Sequence, residues 1–192
     1  MIQGVGSEQG SAVAEPRVWV FGAGKGGVGT STVVSALAVE AGLSGLRTLL
    51  IDGEPGLGGT HRLFGLLDGH VGFPALRDRG MDPDSVPISV SPNVSLVPSG
   101  GDDPASILTQ GQRASVYGRL VNIFADYDLV LVDGGATLDT VMPALSINPS
   151  GLIAVESVEN VSHGVPMSSG TPSRASVRST VNPVLWPERE AM

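Results

Sequence analysis

A glycine-rich segment that ends in hydroxyl residues is the part of the sequence best suited to chemistry. It reads Gly-Lys-Gly-Gly-Val-Gly-Thr-Ser-Thr over residues 24–32, between a short apolar run and a helix-forming stretch. Glycines let the backbone curl so that successive N–H groups point inward, and the start of a helix adds partial positive charge. The segment predicts a phosphate-binding loop that begins a helix, formed by Gly24, Lys25, Gly26, Gly27, Val28, Gly29, Thr30, Ser31 and Thr32.

The end of this loop carries the residues that would hold a metal ion and phosphate. In the ordinary pattern, G-x-x-x-x-G-K-[ST], the hydroxyl of the last residue coordinates Mg²⁺. Ser31 occupies this position here, and Thr32 could reach a phosphate oxygen. The lysine position holds Thr30 instead. Losing that charge costs roughly 1.5–3 kcal/mol of phosphate binding, or about one to two decades in affinity. Lys25 lies inside the loop and could supply charge, but from a different direction.

The same glycines also satisfy the dinucleotide-binding pattern G-x-G-x-x-G, through Gly22, Gly24 and Gly27. Asp52 then stands roughly where such a fold keeps its ribose-binding acid. Against this interpretation, the glycine run continues to Gly29 and ends in three hydroxyl residues, which a dinucleotide loop does not need. A dinucleotide site and a glycine turn without a ligand both remain as alternatives.

Three acidic residues follow predicted strands. Asp52 and Glu54 come after the second strand, and Asp133 ends a later one. Ligands of open α/β sheets bind beyond the carboxyl ends of the strands, so these acids are well placed to hold Mg²⁺ and its waters. Any one of them alone could be a solvated loop residue or a helix cap. The three together beside one phosphate loop favour a metal–phosphate site.

The elements that must position these residues alternate along the chain. Short apolar runs bounded by turn residues predict strands at 17–22, 47–52, 94–98, 128–133 and 151–156, and helices are predicted at 30–43, 60–67, 74–79, 105–127 and 137–147. This alternation predicts a doubly wound, mostly parallel sheet. The first helix is expected to bury Val33, Leu37 and Ala41, and the longest to bury Ile107, Leu108, Val116, Leu120 and Ile123.

Length and composition limit the other possibilities. At 192 residues the chain suits one α/β domain, expected at 17–160, after a flexible leader at 1–16 and before a disordered tail at 161–192. A net charge of −8 argues against a broad nucleic-acid-binding face. The absence of cysteine excludes thiolate chemistry, and three scattered histidines give no metal pattern. Without a secretory signal or a membrane-length apolar run, a cytoplasmic location is expected.

From Lys25 onward the loop resembles the deviant Walker A motif, K-G-G-x-G-K-[ST]-[ST], of the MinD/ParA ATPases, and the chain resembles most the FlhG/FleN flagellar-number regulators and MinD. The residues at 50–57 are similar to the "IDADxGL" segment of that family, those at 62–66 to the "LLGL" after it, those at 94–98 to "(I/V)xxVP", and those at 129–135 to "(V/I)(V/I)VDxxxG". The resemblance covers about residues 17–160. It implies a P-loop NTPase fold of the SIMIBI type, shortened at the C-terminus because the family's later strands and amphipathic membrane helix have no counterpart.

The resemblance also implies roles for individual residues. The family binds ATP–Mg²⁺ in a dimer and hydrolyses it slowly. By matching position, Lys25 would reach the nucleotide of the partner subunit, and Glu54 would orient the attacking water. Ser31, Asp133 and Asp52 would hold Mg²⁺, Asp133 as the Walker B aspartate. Two departures weaken catalysis: Thr30 replaces the loop lysine, and Glu54 replaces an aspartate, which moves the carboxylate outward by one methylene.

The sequence therefore favours an ATP-binding switch in spatial regulation, either of flagellar number and placement or of cell division, with weak or lost hydrolysis. It is expected to form a homodimer when nucleotide is bound, to act with an unidentified regulatory protein, and not to bind a membrane through the tail at 161–192. The alternative from another functional class is a non-enzymatic pseudo-ATPase that serves as a docking module, or a truncated remnant. An NAD(P)-binding domain is the third interpretation.

Overall fold

A computed structural model describes residues 15–54, 59–66, 70–100, 107–157 and 175–180. They form a seven-stranded sheet with helices on both faces, in the strand order β3-β4-β2-β5-β1-β6-β7. The strands are β1 (Arg17–Gly22), β2 (Thr48–Asp52), β3 (Ile88–Ser91), β4 (Val94–Val97), β5 (Leu129–Asp133), β6 (Gly151–Ser157) and β7 (Ala175–Thr180). The five strands β4, β2, β5, β1 and β6 are parallel, and β3 and β7 pair antiparallel at the two edges. The predicted doubly wound sheet is confirmed.

Within the described residues, four α-helices cover this sheet: α1 (Thr30–Leu43), α2 (Thr60–Leu63), α3 (Gln110–Leu120) and α4 (Leu138–Ala144). Short 3₁₀ helices lie at Phe73–Arg77, Pro83–Ser85, Val121–Asp126 and Leu145–Ile147. None of the described helices is long and apolar enough to cross a bilayer.

The core has two halves, one on each face of the sheet. Because side chains alternate along a strand, Leu49 and Ile51 pack with α3 and α4, whereas Leu50 packs on the α1 side. All five residues of β2 are buried, as expected of a central parallel strand covered on both faces. By the same alternation, Asp52 lies on the face of Leu50, toward α1.

The strand order distinguishes between the phosphate-binding and the dinucleotide-binding interpretations of the glycine loop. In the dinucleotide-binding order, the strand before the glycine loop lies next to the strand that follows the first helix. Here β5 lies between β1 and β2, pairing in parallel with each of them. The topology therefore argues against the dinucleotide-binding fold and places Asp133 of β5 between the loop and Asp52.

Several predicted elements need correction. The long helix expected at 105–127 is α3 followed by a 3₁₀ helix, and Ile107, expected to be buried, is 67% exposed. In α1 the inward face is Val34, Ala38 and Gly42, whereas Leu37 is 44% exposed. The sequence contains few strongly polar residues on either face of α1, so its periodicity could not identify the buried one.

Two strands, β3 and β7, were not predicted. β3 forms a hairpin with the predicted strand β4, and Asn93 at φ 58° lies in its turn. β7 lies in the range expected to be disordered tail, and the structure corrects that expectation for its six residues. The rest of 161–192, residues 1–14 of the predicted leader at 1–16, and parts of the predicted helices at 60–67 and 105–127 lie outside the described residues. The division of the chain into leader, domain and tail stays a prediction.

Arg119 of α3 holds the segment after the first 3₁₀ helix. Its guanidinium donates to the backbone carbonyls of Leu76, Asp78 at 2.6 Å, Arg79 at 3.5 Å and Met81. A planar fork with five N–H donors can satisfy several carbonyls at once, which an ammonium group cannot do with the same geometry.

We expect Arg119→Met to lower the free energy of unfolding by about 2 kcal/mol, because it removes charge-assisted hydrogen bonds to the backbone carbonyls of this turn. For a domain of this size that is a fall in melting temperature of about 4–8 °C. Thermal unfolding followed by circular dichroism measures it. Arg119→Lys should fall in between, and an unchanged melting temperature in Arg119→Met would show that the turn is held by other contacts.

Candidate functional site

The glycine loop joins β1 to α1 and leaves an open cradle. Gly29, the residue before α1, has φ 93°, and Gly27 has φ 78°, a conformation that residues with a side chain rarely adopt. A Cβ added at Gly24, Gly26, Gly27 or Gly29 would meet no atom within 4 Å. Among the described atoms of the chain, nothing fills the space in front of these glycines, as a ligand cradle requires.

The two ends of the loop differ in exposure. Residues 24–27, including Lys25, are exposed to solvent, whereas Thr30 is 7% exposed and forms the first residue of α1. Ser31 is half-buried and lies within hydrogen-bonding reach of the Asp133 carboxyl. The predicted loop residues are therefore brought together, and the Ser31 hydroxyl near the start of the helix lies beside Asp133.

Asp52 and Asp133 lie side by side at the carboxyl ends of neighbouring strands. They are partners in the parallel register of β2 and β5, and both are 0% exposed. The Asp133 Oδ1 accepts a hydrogen bond from the Gly135 N–H at 3.0 Å. Within the described residues, both Asp52 oxygens and the second oxygen of Asp133 have no hydrogen-bond partner. Buried carboxylate oxygens normally find partners, so these three atoms call for a cation or ordered water.

Burial raises the pKa of the Asp133 carboxyl to about 6. The hydrogen bonds from Ser31 and Gly135 lower it, and the charges of Asp52 and Glu54 raise it, but desolvation is the largest effect. A divalent cation beside these carboxylates would favour their ionised form and so lower the pKa of Asp133.

The residues present fit Mg²⁺ bound together with a phosphate ligand. Among the described residues there is no cluster of three or more acidic, histidine or cysteine side chains that could enclose a metal ion alone. Mg²⁺ prefers such incomplete sites, with one or two carboxylates and several waters or substrate phosphates. Ser31, Asp133 and Asp52 are the side chains that could hold it.

Glu54 is half-buried and bends toward the loop that follows β5. Its carboxylate accepts a hydrogen bond from the Ala136 N–H and lies against Gly135, where a Cβ would come within 2.5 Å of the Glu54 carboxyl carbon. Burial is the main cause of the raised pKa of Glu54, and the nearby charge of Asp52 adds to it. Glu54 therefore lies in the same cluster as the two buried aspartates.

Sequence reasoning missed a second row of polar residues beside Asp52. The His61 Nδ1 lies 3.6 Å from the Asp52 Oδ2, and the two side chains are 3% and 0% exposed. A Cβ on Gly59 would come within 2.3 Å of the same carboxylate oxygen and within 3.1 Å of the Ser99 hydroxyl. His61 stood alone in the sequence, with no spacing to suggest that α2 folds back over the end of β2.

An apolar cleft of about 430 Å³ also opens beside the start of the loop. It lies between α4 and β6, and its lining has no charged side chain that could bind phosphate; it comprises Gly22, Ala23, Gly24, Ala136, Thr137, Leu138, Val141, Leu152 and Ala154.

Comparison with known proteins agrees with this geometry. The strand order and the glycine loop define the class of fold: the chain has the fold of P-loop NTPases of the MinD/ParA type. It is 32% identical over 128 residues to the septum site-determining protein MinD of Guillardia theta, covering 65% of this chain and 46% of that protein. No family model matches the chain.

Solved structures show the same fold. MinD of Pyrococcus horikoshii, in complex with Mg-ADP, has a TM-score of 0.60 and 24% identity over 72% of this chain and 57% of its own. A plasmid partition protein of Borrelia burgdorferi has a TM-score of 0.60 and 19% identity over 77% and 68%. The chain thus spans about half the length of the MinD proteins it matches.

We expect Asp133→Asn to stabilise the nucleotide-free protein by about 1 kcal/mol at pH 7.5, because it removes a desolvated charge; the full pKa change bounds the gain at about 3 kcal/mol. Since the folded-state pKa is raised, the penalty is present above pH 6 and relieved as the pH falls toward 4. The gain should therefore fall to about one third of this value at pH 4.5. Thermal melts at both pH values measure it.

The exposed Asp126→Asn is the matched control for this charge change and should have little effect. A loss of stability in Asp133→Asn at pH 7.5 would contradict the desolvation argument.

Proposed function

We propose that this chain binds ATP–Mg²⁺ in the loop at 24–32 and acts as a nucleotide-dependent switch with slow or lost hydrolysis. The observation that carries the proposal is the convergence of Ser31, Asp133 and Asp52 beside an open glycine cradle. Among the described residues, three buried oxygens of the two aspartates accept no hydrogen bond. Backbone N–H groups of the loop and the start of α1 supply donors for the phosphates.

Each residue has a role consistent with its surroundings. Ser31 and Asp133 would hold the metal ion, with Asp52 beside them binding its waters. Mg²⁺ bound there would neutralise charge on the β- and γ-phosphates. Glu54, half-buried and close to both aspartates, would orient the attacking water. Its raised pKa supports the additional role of accepting a proton from that water.

We infer that Lys25 acts on the nucleotide of a second copy in a homodimer. What supports this is its exposure at the outer end of the loop, together with the buried position of Thr30 where the ordinary lysine would stand. The partner subunit's lysine would then provide the charge that the loop itself lacks. A role in flagellar number and placement, or in cell division, with a regulatory protein as partner, follows from the sequence resemblance. We propose a cytoplasmic location on the same basis.

Two features favour a second candidate function, a pseudo-ATPase that docks partners without hydrolysis. Thr30 removes the charge that holds the γ-phosphate in an ordinary loop. Glu54 places its carboxylate one methylene further out than an aspartate, and small displacements of a catalytic group can cost about 10²-fold in rate. The two functions agree on the fold and differ in whether nucleotide is bound and cleaved.

Titration calorimetry and thermal shift with ATP–Mg²⁺ test the binding proposal. We expect a rise in melting temperature with ATP–Mg²⁺ that Ser31→Ala largely removes, because the variant lacks the hydroxyl proposed to hold the metal ion. Ser44→Ala, on the exposed C-terminal end of α1, is the matched control and should respond like the native chain. A response to NAD but not to ATP would contradict the proposal.

We expect Thr30→Lys to increase affinity for ATP–Mg²⁺ by about 10- to 100-fold, the value of a charge-assisted contact to phosphate. The buried start of α1 would direct the new ammonium group into the cradle. Ala36→Lys adds the same charge at an exposed position of α1 and should change affinity by less than about 2-fold. Titration calorimetry measures both affinities. Equal changes in affinity for the two substitutions would mean that a residue at position 30 does not contact a phosphate.

A further inference from the structure

Arg113 is a buried cation of α3 that belongs to none of the sequence motifs described above. It is 5% exposed, and its guanidinium donates to two backbone carbonyls, that of Gly53 at 2.7 Å and that of Leu108 at 3.3 Å. The bond to Gly53 spans 60 positions of the chain and connects α3 to the segment directly after β2. That segment carries Asp52 and Glu54.

The Gly53 residue is held from three directions. Its N–H donates to the Asp133 carbonyl at 2.9 Å, and its carbonyl accepts from Arg113. Tyr117, one turn further along α3, is fully buried with its hydroxyl beneath Gly53, where an added Cβ would come within 2.2 Å of that oxygen. A larger residue at position 53 would therefore displace Tyr117. The fit between Gly53 and α3 leaves the peptide that leads into Glu54 little freedom.

Placing a guanidinium here is costly. Burial lowers the pKa of Arg113, an effect that the charges of Asp139 and Glu54 offset only in part. Buried charges are often replaceable by well-packed apolar residues without loss of stability, so a buried arginine is weak evidence of a stabilising role. What Arg113 adds is geometry, since a rigid fork bonded to two carbonyls fixes both relative to each other.

The start of α3 is itself anchored. Thr109 and Gln112 form a capping box, in which each side chain bonds to the backbone N–H of the other. The Gln110 side chain also contacts the Asp139 side chain of α4. Arg113 therefore projects from a helix end whose position is fixed by its neighbours.

We propose that Arg113 is a positioning residue that fixes the Gly53–Glu54 peptide and, through it, the carboxylate of Glu54 in the candidate site. The catalytic consequence rests on the proposed function, whereas the structural claim concerns the chain alone. Arg113 itself would contact neither nucleotide nor metal ion. Its effect would be on the step in which Glu54 takes part and not on nucleotide binding.

Amide hydrogen exchange of the nucleotide-free protein tests the structural claim. In Arg113→Met, which keeps the aliphatic stem, the Gly53 amide should exchange about 10-fold faster than in the native chain, because the peptide loses its clamp. Arg113→Lys should recover part of the protection. Arg77→Met is the matched control, since it removes an exposed guanidinium outside α3. Native-like exchange at Gly53 in Arg113→Met, or equal acceleration in Arg77→Met, would overturn the proposal.

Single-turnover hydrolysis with ADP–Mg²⁺ affinity measured separately tests the catalytic consequence. Arg113→Met should lower the rate of hydrolysis by about 10- to 100-fold with ADP–Mg²⁺ affinity within about 2-fold, because a displaced Glu54 affects the chemical step. A loss in affinity as large as the loss in rate would overturn the positioning role. A native chain that hydrolyses nothing would instead contradict the proposed function, and the exchange result at Gly53 would still decide the structural claim.

Discussion

Two carboxylates lie side by side, out of contact with water, at the carboxyl ends of β2 and β5, and the remainder of the site is arranged around their charge. Asp52 and Asp133 are neighbours because β5 lies between β1 and β2, so their separation follows from the strand register and not from flexible loops. Burial is the main reason that the pKa of Asp133 is raised, and the neighbouring negative charge of Asp52 adds to it. Such an arrangement is unfavourable without a cation and favourable with one.

This cost explains features that look unrelated in the sequence. Polar groups surround the pair: the Ser31 hydroxyl and the Gly135 N–H interact with Asp133, and His61 lies beside Asp52. Glycines stand where backbones or carboxylates approach closely, as at Gly59 beside Asp52 and at Gly135 beside Glu54. The glycine content of the chain, which by composition alone could indicate unfolded sequence, is in these places a requirement of close packing around buried charge.

The sequence was sufficient for the parts of the site that depend on local pattern. An apolar run that leads into glycines and hydroxyl residues predicts β1, the loop and α1, and strand-end acids predict Asp52 and Asp133. It could not reveal Arg113 or His61, because their roles arise from contacts between distant segments, and an arginine or histidine in a helix has an unremarkable local environment. The prediction of the buried face of α1 was wrong for another reason. Small and apolar residues lie on all sides of this helix, so its faces differ little in polarity. Packing against the β3–β4 turn, where Gly42 contacts Pro92, decides which face is buried.

The position of α3 gives the fold a means to connect the far face of the sheet to the candidate site beside the glycine loop. α3 packs on the face opposite α1, yet Arg113 and Tyr117 reach the peptide after β2, whose next side chain lies against the loop after β5. Movement of α3 would therefore be transmitted to Glu54 through three closely packed groups. These are the Arg113 guanidinium, the buried Tyr117 ring and Gly53, which has no space for a side chain. In a nucleotide switch the coupling must run in both directions, since any ligand that orders Glu54 also biases the position of the helix that holds it. The surface of α3 and its neighbour α4 is thus the part of this fold best placed to report the state of the loop.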